Sequence, residues 1–282
     1  MALIRLDRGE LDGLDLYYTS AGRGPVTLLI HGLGGFAESW HETLAALEPH
    51  TRVVALDLPG CGQSAKPRRP YTLAFFAQVV EGFVRALGAE RVSLVGHSLG
   101  GAVATAFALA YPGRVERMAL LGAIVPGFPL QPSAVYRLMT LPGVGEFLSR
   151  LVTRGVCSAA LARCFVVPRP DAVAFLVEHQ YAARTAADGR AAYLSTLRGV
   201  RADFTVRAEA YRSALLEWSR PTLIIHGCQD PVVPIRHARA VVEGMPGAQA
   251  RWLDGCGHFP QIEHAPTVNG WLGEFLLARA GL

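Results

Sequence analysis

A serine able to act as a nucleophile stands in Gly96-His97-Ser98-Leu99-Gly100, between an apolar, β-branched run and a run of small residues. Arg91 to Val95 reads as an interior strand, and Gly101 to Tyr111 as a helix able to lie close to a sheet. A strand that reverses sharply into a helix strains the serine backbone and presents its hydroxyl at the carboxyl edge of the sheet. Side chains at Gly96 and Gly100 would collide in so tight a turn. The bare pattern also arises by chance in a chain with 30 glycines, but the flanking strand and helix argue against chance here.

A serine hydroxyl is a weak nucleophile at neutral pH and needs a base within hydrogen-bond reach, itself oriented by a third group. Nine histidines are present. His31 and His97 belong to turn motifs and read as structural, and His226 ends a strand and should point into local packing. His258, in the loop Gly255-Cys-Gly-His-Phe259 directly after a predicted last strand, is the best candidate for the base. His264, at the mouth of the final helix, is a poorer one. For the orienting acid, Asp230 follows the strand Thr222 to Ile225 in His226-Gly-Cys-Gln-Asp-Pro231. Alone, Asp-Pro would be read as a turn starter; in the order Ser98, Asp230, His258 it completes a triad. Asp254 and Glu263 are alternatives, although Asp254 is close to the base in sequence and Glu263 is expected to anchor the helix that follows it.

Acyl transfer also requires donors for the developing oxyanion, each worth about 2.7 to 4 kcal/mol in enzymes where one has been removed. The amide of Leu99, at the start of the helix after Ser98, is the first candidate. The second should come from His31-Gly-Leu-Gly-Gly35, where the glycines admit a ligand to the backbone; the amide of Leu33 is the expected one. No Gly-Lys-Ser/Thr follows, which argues against a phosphate-binding loop.

The elements that must hold these groups are short β-rich runs alternating with helical stretches. Strands are expected at Asp15 to Ser20, Val26 to Ile30, Arg52 to Leu56, Arg91 to Val95, Arg117 to Leu121, Thr222 to Ile225 and Ala250 to Leu253. Helices are expected at Ala37 to Leu47, Leu73 to Leu87, Gly101 to Tyr111, His237 to Glu243 and Thr267 to Ala280. That alternation predicts a mostly parallel sheet flanked by helices on both faces, with ligands at the carboxyl ends of the strands. It stops after Gly122 and resumes near Pro221. The expected organisation is a core of residues 1–126 and 219–282, with a helical lid insertion at 127–218.

Of 282 residues, 51% are hydrophobic and 18% charged, as in a globular protein. The net charge of +4 gathers into no long basic tract, which excludes the usual nucleic-acid binder. Lys66-Pro67-Arg68-Arg69 is the densest basic cluster and reads as a solvated loop. Residues 127–218 hold 11 arginines and 7 acids, hence 11 − 7 = +4, the balance of the whole chain. Ordinary surface arginines account for this more readily than an anionic substrate does. Charges interrupt the N-terminal apolar stretch early, and no window of about 18 apolar residues occurs, so a cytoplasmic protein without membrane insertion is expected. Five cysteines without a CxxC pair read as reduced, packing thiols.

With these pieces placed, the chain resembles the α/β-hydrolase fold superfamily, in its lid-bearing serine esterase and C–C hydrolase-like branch. The resemblance rests on His31-Gly-Leu-Gly-Gly35, Asp57-Leu-Pro-Gly-Cys-Gly-Gln-Ser64, Gly96-His-Ser-Leu-Gly-Gly101, Gly227-Cys-Gln-Asp-Pro-Val-Val-Pro234 and Gly257-His258, all in the family's order. It implies Ser98 as nucleophile, His258 as base, Asp230 as orienting acid, Leu33 and Leu99 as oxyanion amides, and a structural turn at Asp57 to Ser64. No cofactor or metal is implied. A serine at the turn sets the chain apart from epoxide hydrolases and haloalkane dehalogenases, which carry aspartate there. The expected activity is that of a carboxylesterase on a small-molecule ester. C–C hydrolase, lactonase, thioesterase and perhydrolase activities are compatible, although ring-cleavage C–C hydrolases usually have a longer Gly-rich oxyanion motif. A ligand-binding protein with vestigial hydrolysis is the alternative from another class. Phe128, Tyr136, Phe147, Phe165, Tyr181 and Tyr193 suggest an apolar pocket under the insertion, each of them more expected in packing than in contact.

Overall fold

The computed structural model describes residues 1–278. In chain order, strands β1 (Ala2–Arg5), β2 (Asp15–Ala21) and β3 (Val26–Ile30) precede helix α1 (His41–Leu47); β4 (Arg52–Leu56), α2 (Leu73–Ala86), β5 (Val92–His97), α3 (Leu99–Ala110) and β6 (Val115–Leu121) follow. Six helices then occur without a strand among the described residues: α4 (Ala134–Met139), α5 (Val144–Arg150), α6 (Arg154–Ala162), α7 (Pro170–Thr185), α8 (Ala187–Thr205) and α9 (Ala208–Leu216). The chain closes with β7 (Thr222–Gly227), α10 (Ile235–Gly244), β8 (Ala248–Leu253), α11 (Pro260–Glu263) and α12 (Ala265–Leu277).

The eight strands form one sheet in the order β1-β2-β4-β3-β5-β6-β7-β8. β1 and β2 run antiparallel to their neighbours, and every pairing from β4 to β8 is parallel. The inner strands β3 and β7 are buried at every position, because helices cover both faces of a parallel sheet. The edge strands β1 and β8 alternate burial instead. Phe76, Val80 and Phe83 of α2 and Phe107 of α3 fill one face, and Trp40, Leu47, Val268 and Leu272 fill the other.

β3 and β4 follow their expected bounds, and the other expected strands differ by one or two residues at one end or, for β5, at both. β1 is not among the expected strands. It is four residues long, half exposed, and fixed to β2 partly by a two-pronged Arg5–Asp15 pair at 2.7 Å, so it offers no apolar pattern to read. The expected helix Ala37 to Leu47 begins as a 3₁₀ turn over Ala37–Trp40, where the Asp57 carboxylate accepts from the Ala37 amide at 2.6 Å. The expected last helix ends in the structure at Leu277; its final two expected positions, 279 and 280, lie outside the described residues.

Helix α3 is buried over nearly its whole length, which only small residues allow. A Cβ on Gly100 would lie 2.1 Å from the Ile30 carbonyl oxygen, and one on Gly101 would lie 2.3 Å from the Ala123 Cβ. The absence of side chains there brings the first turn of α3 against β3 and β6, which sets where the preceding residue, Ser98, can stand.

Candidate active site

Ser98 joins β5 to α3 at φ +52° and ψ −118°. Among the described residues it is the only non-glycine at positive φ, a conformation that costs about 1–3 kcal/mol. Neighbouring backbone holds it there: its amide donates to the Leu121 carbonyl at 3.0 Å, and its carbonyl accepts from the amides of Gly101 and Ile124 at 3.0 and 3.2 Å. A Cβ on Gly32 would lie 3.0 Å from the Ser98 Cβ, so the loop after β3 is packed against the serine. The amides of Leu33 and Leu99 donate to no backbone carbonyl among the described residues. For Leu99 this follows from its place in the first turn of a helix, where amides lack a partner four residues back.

Ser98, His258 and Asp230, chosen from sequence, lie in one chain of hydrogen bonds. His258 Nδ1 is 2.8 Å from Asp230 Oδ2, and His258 Nε2 is 3.0 Å from Ser98 Oγ. Asp230 follows β7 and His258 follows β8, so both loops leave the carboxyl edge of the sheet near Ser98. The other Asp230 oxygen accepts from the amides of Val232 and Val233 at 2.8 and 2.9 Å. Burial pushes this carboxyl up, but the adjacent His258, the hydrogen bond to it and the other donors outweigh burial and hold it below the ordinary carboxylate value. An ionised Asp230 keeps the proton of His258 on Nδ1, leaving Nε2 to accept from the Ser98 hydroxyl.

The other histidines take packing roles. His97 Nε2 donates to the His258 carbonyl at 2.8 Å, and burial followed by the nearby His258 pushes His97 down to about 3. His31 Nδ1 donates to the Gly32 carbonyl at 2.7 Å, and its Nε2 accepts from the Leu58 amide at 3.0 Å. His226 Nε2 lies 3.6 Å from Asp230 Oδ2 but 2.8 Å from the Val233 carbonyl. Since burial holds His226 below its ordinary value, the shorter bond is the one it makes, as a neutral ring. His264 sits at the start of α12 with its ring toward the Gly255 carbonyl at 3.3 Å.

Neither alternative acid approaches His258 in place of Asp230. Asp254 is exposed and accepts from the Gln229 side chain at 2.6 Å. Glu263 does not anchor the following helix, as the sequence suggested. Its Oε1 accepts from the amides of Gly257 and Phe259 at 3.0 and 3.3 Å, on either side of His258, and its Oε2 accepts from the Val166 amide at 3.0 Å. A reach back of six residues and another of 97 leave no local sequence signal. The Asp57 to Ser64 segment is a cross-braced turn, with Asp57 accepting from Ala37 and Gln63 and the Ser64 hydroxyl donating to the Asp57 carbonyl at 2.6 Å.

A narrow cavity runs between the loop after β3 and helices α7 and α8. Its lining includes Leu33, Gly34, Leu99, Gln180, Arg184 and Tyr193, and about 20 Å³ is open to the centre of a water molecule. A Cβ on Gly34 would lie 3.6 Å from Tyr193 and 3.7 Å from Gln180. Of the six aromatics singled out between β6 and β7, Tyr193 lines this cavity. Phe128 and Phe165 are buried, the latter stacked on Phe259 beside His258, while Phe147 is exposed. Tyr181 lies under the Arg154 guanidinium.

A mostly parallel sheet with a serine turn after β5, and an aspartate and a histidine on later strand-end loops, defines the α/β hydrolase architecture. Residues 25–162 and 179–265 match the family described as alpha/beta hydrolase fold, and the chain belongs to that family. An uncharacterised protein of Mycobacterium tuberculosis is 35% identical over 258 residues, covering 85% of this chain and 72% of that protein. A protein of Dechloromonas aromatica named 2-hydroxy-6-oxononadienedioate/2-hydroxy-6-oxononatrienedioate hydrolase 1 is 31% identical over 286 residues, covering 97% of this chain and 94% of its own length. The solved structure of a meta-cleavage product hydrolase from Pseudomonas fluorescens superposes with a TM-score of 0.77 at 25% identity, over 94% of each chain. No helix among the described residues is long and apolar enough to cross a membrane.

Proposed function

We propose that this protein is a serine hydrolase that cleaves carboxylic esters through an acyl-enzyme, with Ser98, His258 and Asp230 as its catalytic residues. The observation that carries the reading is the unbroken path from Asp230 Oδ2 through His258 to Ser98 Oγ, with contacts of 2.8 and 3.0 Å. Ser98 Oγ attacks the ester carbonyl carbon while His258 Nε2 takes its proton, and Asp230 stabilises the imidazolium. The carbonyl oxygen, now negative, accepts from the amides of Leu33 and Leu99. Collapse of the adduct expels the alcohol with the proton from His258; a water activated by the same nitrogen then attacks the acyl-enzyme and releases the acid. The helical segment of residues 127–218 acts as a lid that shapes the acyl and alcohol pocket, and residues 1–126 and 219–282 form the catalytic core.

Hydrolysis of a short p-nitrophenyl ester tests this. Ser98→Ala and His258→Ala should each lower kcat by up to about 10⁶-fold, and Asp230→Asn by about 10⁴-fold. A wild-type rate no greater than that of Ser98→Ala sinks the reading and leaves a binding protein on a hydrolase fold. The second reading is hydrolysis of a C–C bond next to a ketone, favoured by the 31% identity to the hydroxy-oxo-dienedioate hydrolase over nearly the whole of both chains. A vinylogous dienoate ketone turned over with kcat/KM well above that of any ester would move the assignment there.

A further inference from the structure

The backbone of His258 is held from two sides by groups outside its own loop. Its carbonyl accepts from Nε2 of His97, the neighbour of Ser98, at 2.8 Å, and its amide donates to the Cys164 carbonyl, just after α6, at 2.8 Å. The amides of Gly257 and Phe259 go to Glu263, so Cys164 satisfies the one donor between them that Glu263 leaves. Two residues on, the Val166 amide donates to the other Glu263 oxygen at 3.0 Å. A Cβ on Gly257 would lie 2.2 Å from the Cys164 carbonyl oxygen, so only glycine there lets the two backbones approach this closely.

Between these two bonds, the side chain of Phe165 closes the contact. Its ring is stacked on Phe259 with centroids 5.2 Å apart and planes at 13°, and Phe259 in turn meets the His258 ring edge-on at 5.4 Å and 71°. Phe165 belongs to the same buried cluster as Cys157 of α6 and Leu176 of α7. Residues 164–166 thus join these helices to the loop that carries His258, and they lie outside both spans that match the family.

His258 itself belongs to no helix or strand, so its place is set by such outside links. Its ring must meet Asp230 Oδ2 and Ser98 Oγ at once, at 2.8 and 3.0 Å. A displacement of about 1 Å in a reacting group can cost about 10²-fold in rate.

We propose that Cys164, Phe165 and Val166 form a positioning segment for His258, so that its bond to Ser98 is kept only while the end of α6 is docked on the loop after β8. The helices between β6 and β7 then contribute to the reaction itself, by holding the base, besides bounding the cavity. The inference rests on the hydrolase reading for its effect on rate, but the placement of the His258 ring is measurable without turnover.

Two measurements test it and keep the two readings apart. Phe165→Ala removes the stack, and Leu176→Ala is its control, a large-to-small change of similar kind in the same cluster but on α7. On p-nitrophenyl butyrate, Phe165→Ala should lower kcat by roughly 10- to 100-fold while KM changes less than about threefold, and Phe165→Tyr should restore most of the rate. Leu176→Ala should leave kcat within about threefold of wild type. Gly257→Ala should act like Phe165→Ala, because its methyl pries the same backbones apart while residues 164–166 stay unchanged. In the second measurement, the proton that His258 Nδ1 donates to Asp230 is followed as a far-downfield NMR resonance, assigned by its absence in His258→Gln. It should be present in Ser98→Ala and in Ser98→Ala/Leu176→Ala, and lost from Ser98→Ala/Phe165→Ala. Equal losses of kcat in Phe165→Ala and Leu176→Ala, or a resonance that survives Phe165→Ala, overturn the proposal and leave Phe165 a packing residue. A resonance that depends on Phe165 in a protein that turns over no ester upholds the proposal and overturns only the esterase reading.

Discussion

At Ser98 the backbone is held at φ +52° by three hydrogen bonds made by its own amide and carbonyl, so the conformation does not depend on the hydroxyl and its cost comes from the Cβ. Glycine adopts that conformation without steric cost. Ser98→Gly should therefore abolish ester turnover yet raise the unfolding midpoint by roughly 2–4 °C. A midpoint below that of wild type, measured by calorimetry, would show that the serine side chain contributes more than its backbone costs. Ser98, Asp230 and His258 were legible in the sequence because each follows a recognisable strand and sits among glycines or a proline that mark a turn. The link from Cys164 to His258 was not, since a backbone carbonyl accepts a hydrogen bond whatever side chain stands beside it. Glu263 was misread for a related reason: its partners, at Gly257, Phe259 and Val166, are chosen by three-dimensional proximity alone.

Among the elements, the contact between α3 and β3 is the most constrained. A methyl at Gly100 would meet two backbone carbonyls, those of Ile30 and His31, at 2.1 and 2.6 Å, and neither can rotate aside as a side chain could. Gly100→Ala should cost several kcal/mol, about 3 or more, and be recovered mainly in inclusion bodies; a soluble variant with wild-type midpoint would contradict the packing described. Glu263 ties α11 to the His258 loop and to the segment after α6 at once. Under the proposed function, Glu263→Ala should lower kcat more than it raises KM, by roughly 10- to 100-fold in kcat, because the loop carrying His258 loosens while the cavity lining stays. The inner strands were readable as unbroken apolar runs, since burial on both faces removes alternation. β1 and the 3₁₀ turn before α1 were not, being settled by an ion pair and by a carboxylate 20 residues away.

Taken as a whole, the molecule keeps several histidines neutral in its interior, and this sets its response to acid. Burial pushes His31 down to about 4 and His97 to about 3, from 6.5. A histidine whose folded value is depressed stabilises the fold fully above 6.5, and that contribution is lost as pH falls from 6.5 through about 4 and then about 3. Asp57 works in the opposite sense: burial raises it from 3.8 to about 6, so its contribution is present below 3.8 and lost as pH rises through 6. Between pH 6 and 4 the two histidines outnumber the one aspartate, and stability should fall by about 1.4 kcal/mol per unit for the net proton taken up on unfolding. Urea midpoints at pH 7.5, 6 and 4.5 measure this, and His97→Gln should flatten the slope by about one proton; a wild-type midpoint that rises on acidification would refute it. The cavity between the loop after β3 and helices α7 and α8 is narrow, with about 20 Å³ open to the centre of a water molecule. Under the proposed function, a bulky acyl group entering beside Leu33 and Leu99 must first displace the α7 and α8 side chains that line this cavity. Capture of long-chain esters should then be slow, solvent-friction dependent and indifferent to the leaving group, whereas acetate esters report the rate of bond breaking itself.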